Sequence, residues 1–287
     1  MAKSIVSLDK TAKFFYIMHS SLWMQVAITQ RRVFVYGCFF GSCGETYALF
    51  ILAGKQMGII SVEHSSNLYW LGRYAERAYT TLDTFFDYYD AMLDRDKHSY
   101  RIFLEKLNIE DKYGNYESFI KGFLYGTDHF TVNSAFRSTY DNALVVRNTI
   151  GSESLAYMEL AINTFNSSKN FKNLRLALMP VMDYLFAYWG SIDDNLATSE
   201  AGIIIKCGKL VERLDLYFRF FYDSKQINKE YEKLCHIIAR IPRAHKDFCN
   251  TQCLAVLVEV LAIEDSYKER LPEVLDNLSR LFEELAT

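Results

Sequence analysis

The sequence predicts an all-α fold, a multi-helix bundle built from two related helical halves. Three observations lead to this prediction. Only three prolines occur in 287 residues, apolar residues recur at steps of three and four over long tracts, and one short helical pattern occurs twice. Because 50% of the residues are hydrophobic, the chain has enough apolar surface to bury a large core.

The repeated pattern is Gly-[Arg/Lys]-x-x-Glu-Arg, which appears as GRYAER at residues 72–77 and as GKLVER at residues 208–213. The apolar residues around the two copies repeat in the same phase, which predicts a duplicated helical unit. Each half of the bundle is therefore expected to contain one such helix. The aligned apolar pairs are Leu68 and Ile204, Leu71 and Cys207, Ala75 and Val211, Ala78 and Leu214, Leu82 and Phe218, and Phe85 and Phe221.

The first helix is predicted over residues 62–93, where apolar side chains advance by alternating steps of three and four, as in a helix bundle. Polar stretches near residues 94–98, 167–170 and 223–226 are predicted turns. No segment shows the alternation of a half-buried strand, so no strand is expected. Further helices are predicted near residues 115–125, 131–166, 171–190, 198–223, 228–240, 250–264 and 272–285.

The charged residues of the repeated pattern have two interpretations. In the first, they form surface pairs within one helix. Arg73 and Glu76 lie three residues apart, as do Lys209 and Glu212, and each such pair would contribute about 0.2–0.5 kcal/mol.

In the second interpretation, the two helices pack together with Glu76 and Arg77 facing Arg213 and Glu212. The helices would then be antiparallel or related by a pseudo-twofold axis. A buried, crossed ion-pair cluster of this kind sets the register of the helices without necessarily adding stability. The glycine that opens each copy weakens its helix, and the close approach of another backbone would explain its presence.

Residues 67–78, NLYWLGRYAERA, resemble the opening helix of the alpha-E domain family, a group of bacterial all-helical proteins with an ER motif. Residues 203–219, IIIKCGKLVERLDLYFR, resemble the later repetition of that motif in the same family. The similarity spans residues 58–285. Two positions depart from the family pattern, because Lys209 stands where arginine is usual and Leu155 stands where tryptophan is often found.

The resemblance implies a function only by association, because the biochemical activity of the family is not established. Its members resemble proteins encoded beside ATP-grasp-like ligases and transglutaminase-like proteases. This implies an accessory, non-catalytic binding protein of a peptide ligation or modification pathway, with a partner of one of these two kinds. No cofactor is expected, and a homo-oligomer remains open.

A binding site is predicted at the centre of the bundle. There the arginines would grip a carboxylate or a phosphate, and the glutamates would orient them or accept an ammonium group. Arg147 with Ser152 and Glu153 resembles a mid-chain arginine followed by Ser-x-Glu in the family. The candidate binding residues are Arg73, Glu76, Arg77, Glu212 and Arg213, with Asn67, Arg147 and Glu153 as neighbours.

The competing hypothesis is a magnesium-dependent all-α enzyme that acts on a prenyl diphosphate. Asp83 and Asp87 have a helical DxxxD spacing, and Asp193 with Asp194 would be the second acidic pair that holds Mg²⁺ against a diphosphate. A solvated acidic helix face explains the same residues, because no basic cluster that would bind a diphosphate stands out.

A metal site is not expected, although His245, Cys249 and Cys253 are spaced by four residues. Ligands at these three positions extend over about 12 Å of helix, too far for one zinc ion, so buried thiols are predicted instead. The sequence contains no Glu-x-x-His, no phosphate-binding loop and no Gly-x-Ser-x-Gly, which argues against a di-iron bundle, an NTPase and an α/β-hydrolase.

Charge and cysteine usage limit the partners and the compartment. Residues 57–287 contain 26 basic and 33 acidic residues, a net charge of −7, so a nucleic-acid partner is not expected. Six cysteines without a secretory signal pattern indicate reduced thiols and a cytoplasmic protein.

Residues 1–56 are predicted to be an atypical N-terminal extension, and residues 57–287 the alpha-E-like domain. Glu45 is the only charged residue within residues 33–54. That segment is long enough to span a bilayer, but a carboxylate near its centre opposes insertion, so a membrane span is not favoured. The other explanation of the extension is that natural translation starts at Met57.

Overall fold

The computed structural model describes the backbone of residues 12–19, 22–29 and 32–39, and residues 61–94, 96–170, 173–241, 248–263 and 265–286. The chain divides into two compact units, Met1–Ile59 and Ile60–Thr287. Each unit is described by itself.

The first unit contains an antiparallel sheet of three strands in chain order, β1 (Ala12–His19), β2 (Leu22–Thr29) and β3 (Arg32–Phe39). Ala12 lies opposite Thr29 in the first pair. The expectation that no strand forms is wrong here. The strand AKFFYIMH contains the apolar run FFYIM without alternation, and periodicity does not distinguish such a run from a helix.

The hydrophobic segment predicted at residues 33–54 begins within β3, and its remainder, with Glu45, lies outside the described residues. Met57 also lies outside them. Among the residues that the structure describes, no helix is both long and apolar enough to cross a membrane.

The elements of the second unit are all helices among its described residues, which confirms the all-α prediction for this unit. The described residues also form short 3-10 helices at Ser168–Asn170 and Ser266–Lys268. The α-helices are α1 (Val62–Asp94), α2 (Ser99–Lys106), α3 (Tyr116–Tyr125), α4 (Val132–Val145), α5 (Arg147–Ser167), α6 (Leu174–Leu196), α7 (Glu200–Arg219), α8 (Ser224–Ile238), α9 (Thr251–Leu261), α10 (Leu271–Ser279) and α11 (Glu283–Ala286).

Most predicted helices are present, with four differences. The helix expected at residues 272–285 is divided into α10 and α11. The turn predicted at residues 223–226 is largely wrong, because the Asp223 side chain caps α8, which begins at Ser224.

The continuous helix expected at residues 131–166 is divided into α4 and α5 at Val146, and Gly151 within α5 has a non-helical φ of +83°. The eight-residue helix α2 was not predicted, because so short a segment shows little periodicity and gains its stability from packing Phe103 and its neighbours into the core.

The core is organised around α1, which packs mainly against α7 and α4, while α5 packs against α6 and α7 against α8. The aligned apolar residues of both repeats are at most 6% exposed, except Phe221, which is 39% exposed. Phe221 follows the end of α7 and has a φ of +54°. The apolar repeat therefore ends at Phe218, and the division of the whole unit into two related halves stays a prediction.

Candidate functional site

The two repeated patterns meet where α1 and α7 are in closest contact. A Cβ atom added to Gly72 would lie 2.1 Å from the carbonyl oxygen of Ile205, and one added to Gly208 would lie 2.1 Å from the carbonyl oxygen of Tyr69. These two contacts correspond to each other in the aligned repeats, so the crossing has a local pseudo-twofold relation. Only glycine permits this approach, which confirms the expected reason for both glycines.

The helices α1 and α7 run in the same direction at this crossing. Gly72 contacts Ile205, and further along both helices Glu76 contacts Arg213. The contacts thus advance toward the carboxyl ends of both helices together. The antiparallel arrangement considered from the sequence is wrong, and the pseudo-twofold arrangement is the one observed.

The Glu-Arg dipeptides form the crossed cluster that the sequence predicts. Glu212 accepts hydrogen bonds from Arg73 Nε at 2.7 Å, from Arg77 Nε at 2.5 Å and from Arg77 Nη2 at 3.1 Å. Glu76 Oε1 accepts one from Arg213 Nε at 2.6 Å and also lies 2.5 Å from Arg213 Nη2. The alternative prediction of surface pairs within each helix is wrong. We call these five residues the ER cluster.

The two glutamates of the ER cluster are buried, but they are not equivalent. Glu76 is 0% and Glu212 is 5% exposed. Burial opposes ionisation of Glu212, but the charges of Arg77 and Arg73 outweigh it and lower the pKa of Glu212 to about 2. Burial raises the pKa of Glu76 against the opposing charge of Arg213.

Lys209 causes part of this asymmetry. It occupies the position in α7 that Arg73 occupies in α1, but its Nζ lies 3.8 Å from the ring centroid of Trp189. Glu76 Oε2 is buried and has no hydrogen-bond partner among the described residues. Glu76 therefore receives one arginine, whereas Glu212 receives two.

Arg77 and Arg213, the arginines of the two Glu-Arg dipeptides, also differ in the partners of their Nη1 groups. Arg213 Nη1 donates to Glu230 Oε2 on α8 at 3.4 Å, and Lys233 Nζ lies 2.6 Å from Glu230 Oε1. Arg77 Nη1 has no hydrogen-bond partner in the part of the chain that the structure describes. The side chain of Arg77 is 31% exposed, more than any other member of the ER cluster.

A pocket of about 530 Å³ adjoins the ER cluster on the side of Arg77 and Glu212. Arg219 is part of its wall, and Asp215 holds it through contacts of 2.7 Å to Nε and 3.3 Å to Nη2. The pocket is lined by Arg77, Thr81, Leu107, Asn108, Ile109, Glu110, Lys112, His129, Phe130, Glu212, Asp215, Leu216 and Arg219.

Three of the predicted neighbours make no hydrogen bond or ion pair with the ER cluster. The side chain of Asn67 donates to the Glu63 carbonyl of its own helix at 2.9 Å. Arg147 and Glu153 are exposed on α5. Sequence reasoning missed Asp215 and Arg219, although their spacing of four residues directly after the second motif was a usable signal.

The acidic residues of the enzyme hypothesis lie elsewhere. Asp83 and Asp87 are exposed and do not line the pocket. In the described part of the chain, no group of three histidine, cysteine or carboxylate side chains is arranged to hold a metal ion. Asp193 pairs with Lys206 at 2.8 Å.

The cysteines near the C-terminus behave as buried thiols. Cys249 and Cys253 are 9% and 4% exposed, which confirms the prediction for them, and His245 lies outside the described residues. Burial raises the pKa of the Cys249 thiol to about 11, so the reactive thiolate is scarce at neutral pH.

The family comparison agrees with this geometry. A family model described as alpha-E, a predicted alpha-helical domain with a conserved ER motif, matches residues 64–279. The chain belongs to the alpha-E family. No curated protein and no solved structure matches the chain. In this alpha-E domain, the glutamate and arginine of each ER motif are joined to those of the other copy.

The glycines of the alpha-E motifs provide the first prediction. Gly72→Ala and Gly208→Ala should each lower the free energy of unfolding by at least about 2 kcal/mol, because the added methyl group collides with backbone that is not free to move away. Gly190→Ala in α6 is the matched control, because nothing lies within 4 Å of its added Cβ.

Urea unfolding measures all three alanine variants. The control should be about 1 kcal/mol more stable than the wild type, because alanine favours a helix more than glycine does. A Gly72→Ala protein as stable as the Gly190→Ala protein would contradict the close crossing.

The second prediction concerns the unequal glutamates. Glu212→Gln should destabilise the domain by about 3–5 kcal/mol, because it leaves the buried charge of Arg73 without a carboxylate. Glu76→Gln should cost less, because Arg213 keeps Glu230. Urea unfolding at a series of pH values compares the two variants.

The pH dependence of unfolding separates them further. The pKa of Glu212 is lowered, so its stabilisation is present above pH 4.5 and is lost as the pH falls toward 2. The pKa of Glu76 is raised, so its contribution is present below pH 4.5 and is lost as the pH rises through the raised value. An acid-limb slope that Glu212→Gln leaves unchanged would contradict the assignment.

The third prediction follows from the missing arginine. Lys209→Arg should supply the donor that Glu76 Oε2 lacks, and so lower the pKa of Glu76 and raise the melting temperature. Arg73→Lys, its counterpart in the other motif, should lower the melting temperature. The prediction is wrong if Lys209→Arg melts below the wild type, since the contact with Trp189 would then be the stronger one.

Proposed function

We propose that this alpha-E domain is a non-catalytic, ligand-binding accessory protein of a peptide ligation or modification pathway. The state of the ER cluster supports the non-catalytic part. Glu212, with a pKa of about 2, is a poor proton donor or acceptor near neutral pH, and arginines stay protonated there. The residues of the ER cluster hold one another in place, and none of them is suited to transfer a proton to or from a substrate.

The pocket beside Arg77 carries the ligand-binding part of the proposal. Its volume of about 530 Å³ falls within the range of about 300–1,000 Å³ that is typical of small-molecule sites. Arg77 joins the buried cluster to this pocket, and Glu212 holds one edge of its guanidinium group. An arginine oriented in this way binds an anion through its other edge.

The pathway and the partner rest on the family resemblance. Proteins similar to the family are encoded beside ATP-grasp-like ligases and transglutaminase-like proteases, and we propose that one such enzyme is the partner. The free cysteines among the described residues favour a reducing, cytoplasmic location for the complex. The exposed positions of Asp83 and Asp87 do not favour the prenyl diphosphate alternative.

Affinity purification tests the proposed partnership. The full chain, tagged and cross-linked in native lysate, should enrich an ATP-grasp-like ligase or a transglutaminase-like protein, identified by mass spectrometry. Tagged wild-type chain that is denatured before it is added to the lysate controls for capture by unfolded chain and should enrich neither. Recovery of neither enzyme with the wild-type chain would contradict the proposal.

A further inference from the structure

We propose that the pocket beside Arg77 takes a carboxylate, bound to Arg77 in the way that Glu230 is bound to Arg213. This inference rests on the proposed ligand-binding function and names the class of ligand. Its basis is the comparison of two arginines that the local pseudo-twofold relation makes equivalent.

Arg77 and Arg213 use the same atoms inside the ER cluster. Each directs Nε and Nη2 to the glutamate of the opposite helix, Glu212 or Glu76. Their Nη1 groups differ, because Arg213 Nη1 donates to Glu230, whereas Arg77 Nη1 has no hydrogen-bond partner among the described residues. The structure thus contains one occupied and one open version of the same guanidinium edge.

Glu230 shows how a carboxylate is bound at Arg213 Nη1. The side chain of Glu230 is 9% exposed, and its carboxylate lies between two cations, with Oε2 toward Arg213 Nη1 and Oε1 toward Lys233 Nζ. It belongs to α8, which packs against α7. At Arg77 the pocket takes the place of this part of α8, so a carboxylate from outside the chain can bind Arg77 Nη1 as Glu230 binds Arg213 Nη1.

The pocket also offers a second cation, as Lys233 does for Glu230. Arg219 lines the pocket, and Asp215 accepts from its Nε and Nη2, while its Nη1 has no hydrogen-bond partner among the described residues. A carboxylate between Arg77 and Arg219 would have one oxygen for each guanidinium group.

The charge balance favours an anion at this end of the cluster. On the side of the pocket there are three arginines, Arg73, Arg77 and Arg219, and the two carboxylates that pair with them are Glu212 and Asp215. This leaves an excess of one positive charge among these five residues beside the pocket.

The remaining lining indicates what carries the carboxylate. Leu107, Ile109 and Phe130 are apolar and partly buried, so they suit an apolar side chain next to the anion. Peptide ligation joins a carboxylate to an amine. The C-terminal carboxylate of a short peptide with an apolar last residue fits both the lining and the proposed pathway.

Titration calorimetry on the full chain tests this inference with three probes. N-acetyl-L-leucine should bind, and N-acetyl-L-leucinamide, which lacks the negative charge, should bind at least tenfold more weakly. Inorganic phosphate should also bind at least tenfold more weakly than the acid, because the chain itself places a carboxylate at the equivalent edge.

Variants connect binding to the two arginines. Arg219→Gln should weaken binding of the acid at least tenfold and leave the melting temperature unchanged, because it removes a partly exposed pair within one helix. Arg280→Gln, which breaks a similar pair outside the pocket, should bind like the wild type. Arg77→Lys should also weaken binding, and if it does not fold, Arg219→Gln carries the test.

Equal binding of the acid and the amide would overturn the inference, as would undiminished binding by Arg219→Gln. Tighter binding of phosphate than of the acid would assign the pocket to phosphate esters instead and would also overturn it. None of these results affects enrichment of a partner enzyme by the wild-type chain, so failure of this inference and failure of the proposed function are distinguishable.

Discussion

The close packing of α1 against α7 is the constraint on which the site depends. At Gly72 and Gly208 each helix is so near to the carbonyl oxygens of the other that no side chain fits between them. One turn further along, that proximity lets the arginines of each motif reach the glutamate of the other. A wider spacing would leave two buried carboxylates without cations, a state that costs several kcal/mol.

The ER cluster therefore specifies an arrangement more than it supplies stability. Removal of two carboxylates and three guanidinium groups from water offsets much of the attraction between them. The close contacts of Glu212 with Arg73 and Arg77 are satisfied only at one register of the two helices. The same reasoning explains why both copies contain a Glu-Arg dipeptide, because the arginine of each dipeptide pairs with the glutamate of the other helix.

The surroundings of the ER cluster are not symmetric. Lys209 replaces the second arginine and contacts Trp189, and Glu230 from α8 occupies the outer edge of Arg213. The corresponding edge of Arg77 remains available beside a pocket. The two copies of the motif thus place equivalent arginines in different surroundings, Arg213 against Glu230 and Arg77 beside a pocket.

The sequence by itself determined the helical class of the second unit and the extent of α1. It also predicted the role of the two glycines and the crossed pairing of Glu76 with Arg213, but only as one of two interpretations. These follow from helical periodicity and from the need to pair buried charges, which act locally or through repetition.

The sequence did not determine the strands of the first unit, the break at Val146 or the separation of Arg147 and Glu153 from the ER cluster. Only the tertiary structure decided that α1 and α7 are parallel and that Lys209 contacts Trp189. It also decided that Glu230 binds Arg213, whereas Arg77 lies beside a pocket. The reason is physical, since the direction of packed helices and the path of the segments around residues 107–112 and 129–130 depend on contacts between residues far apart in the chain.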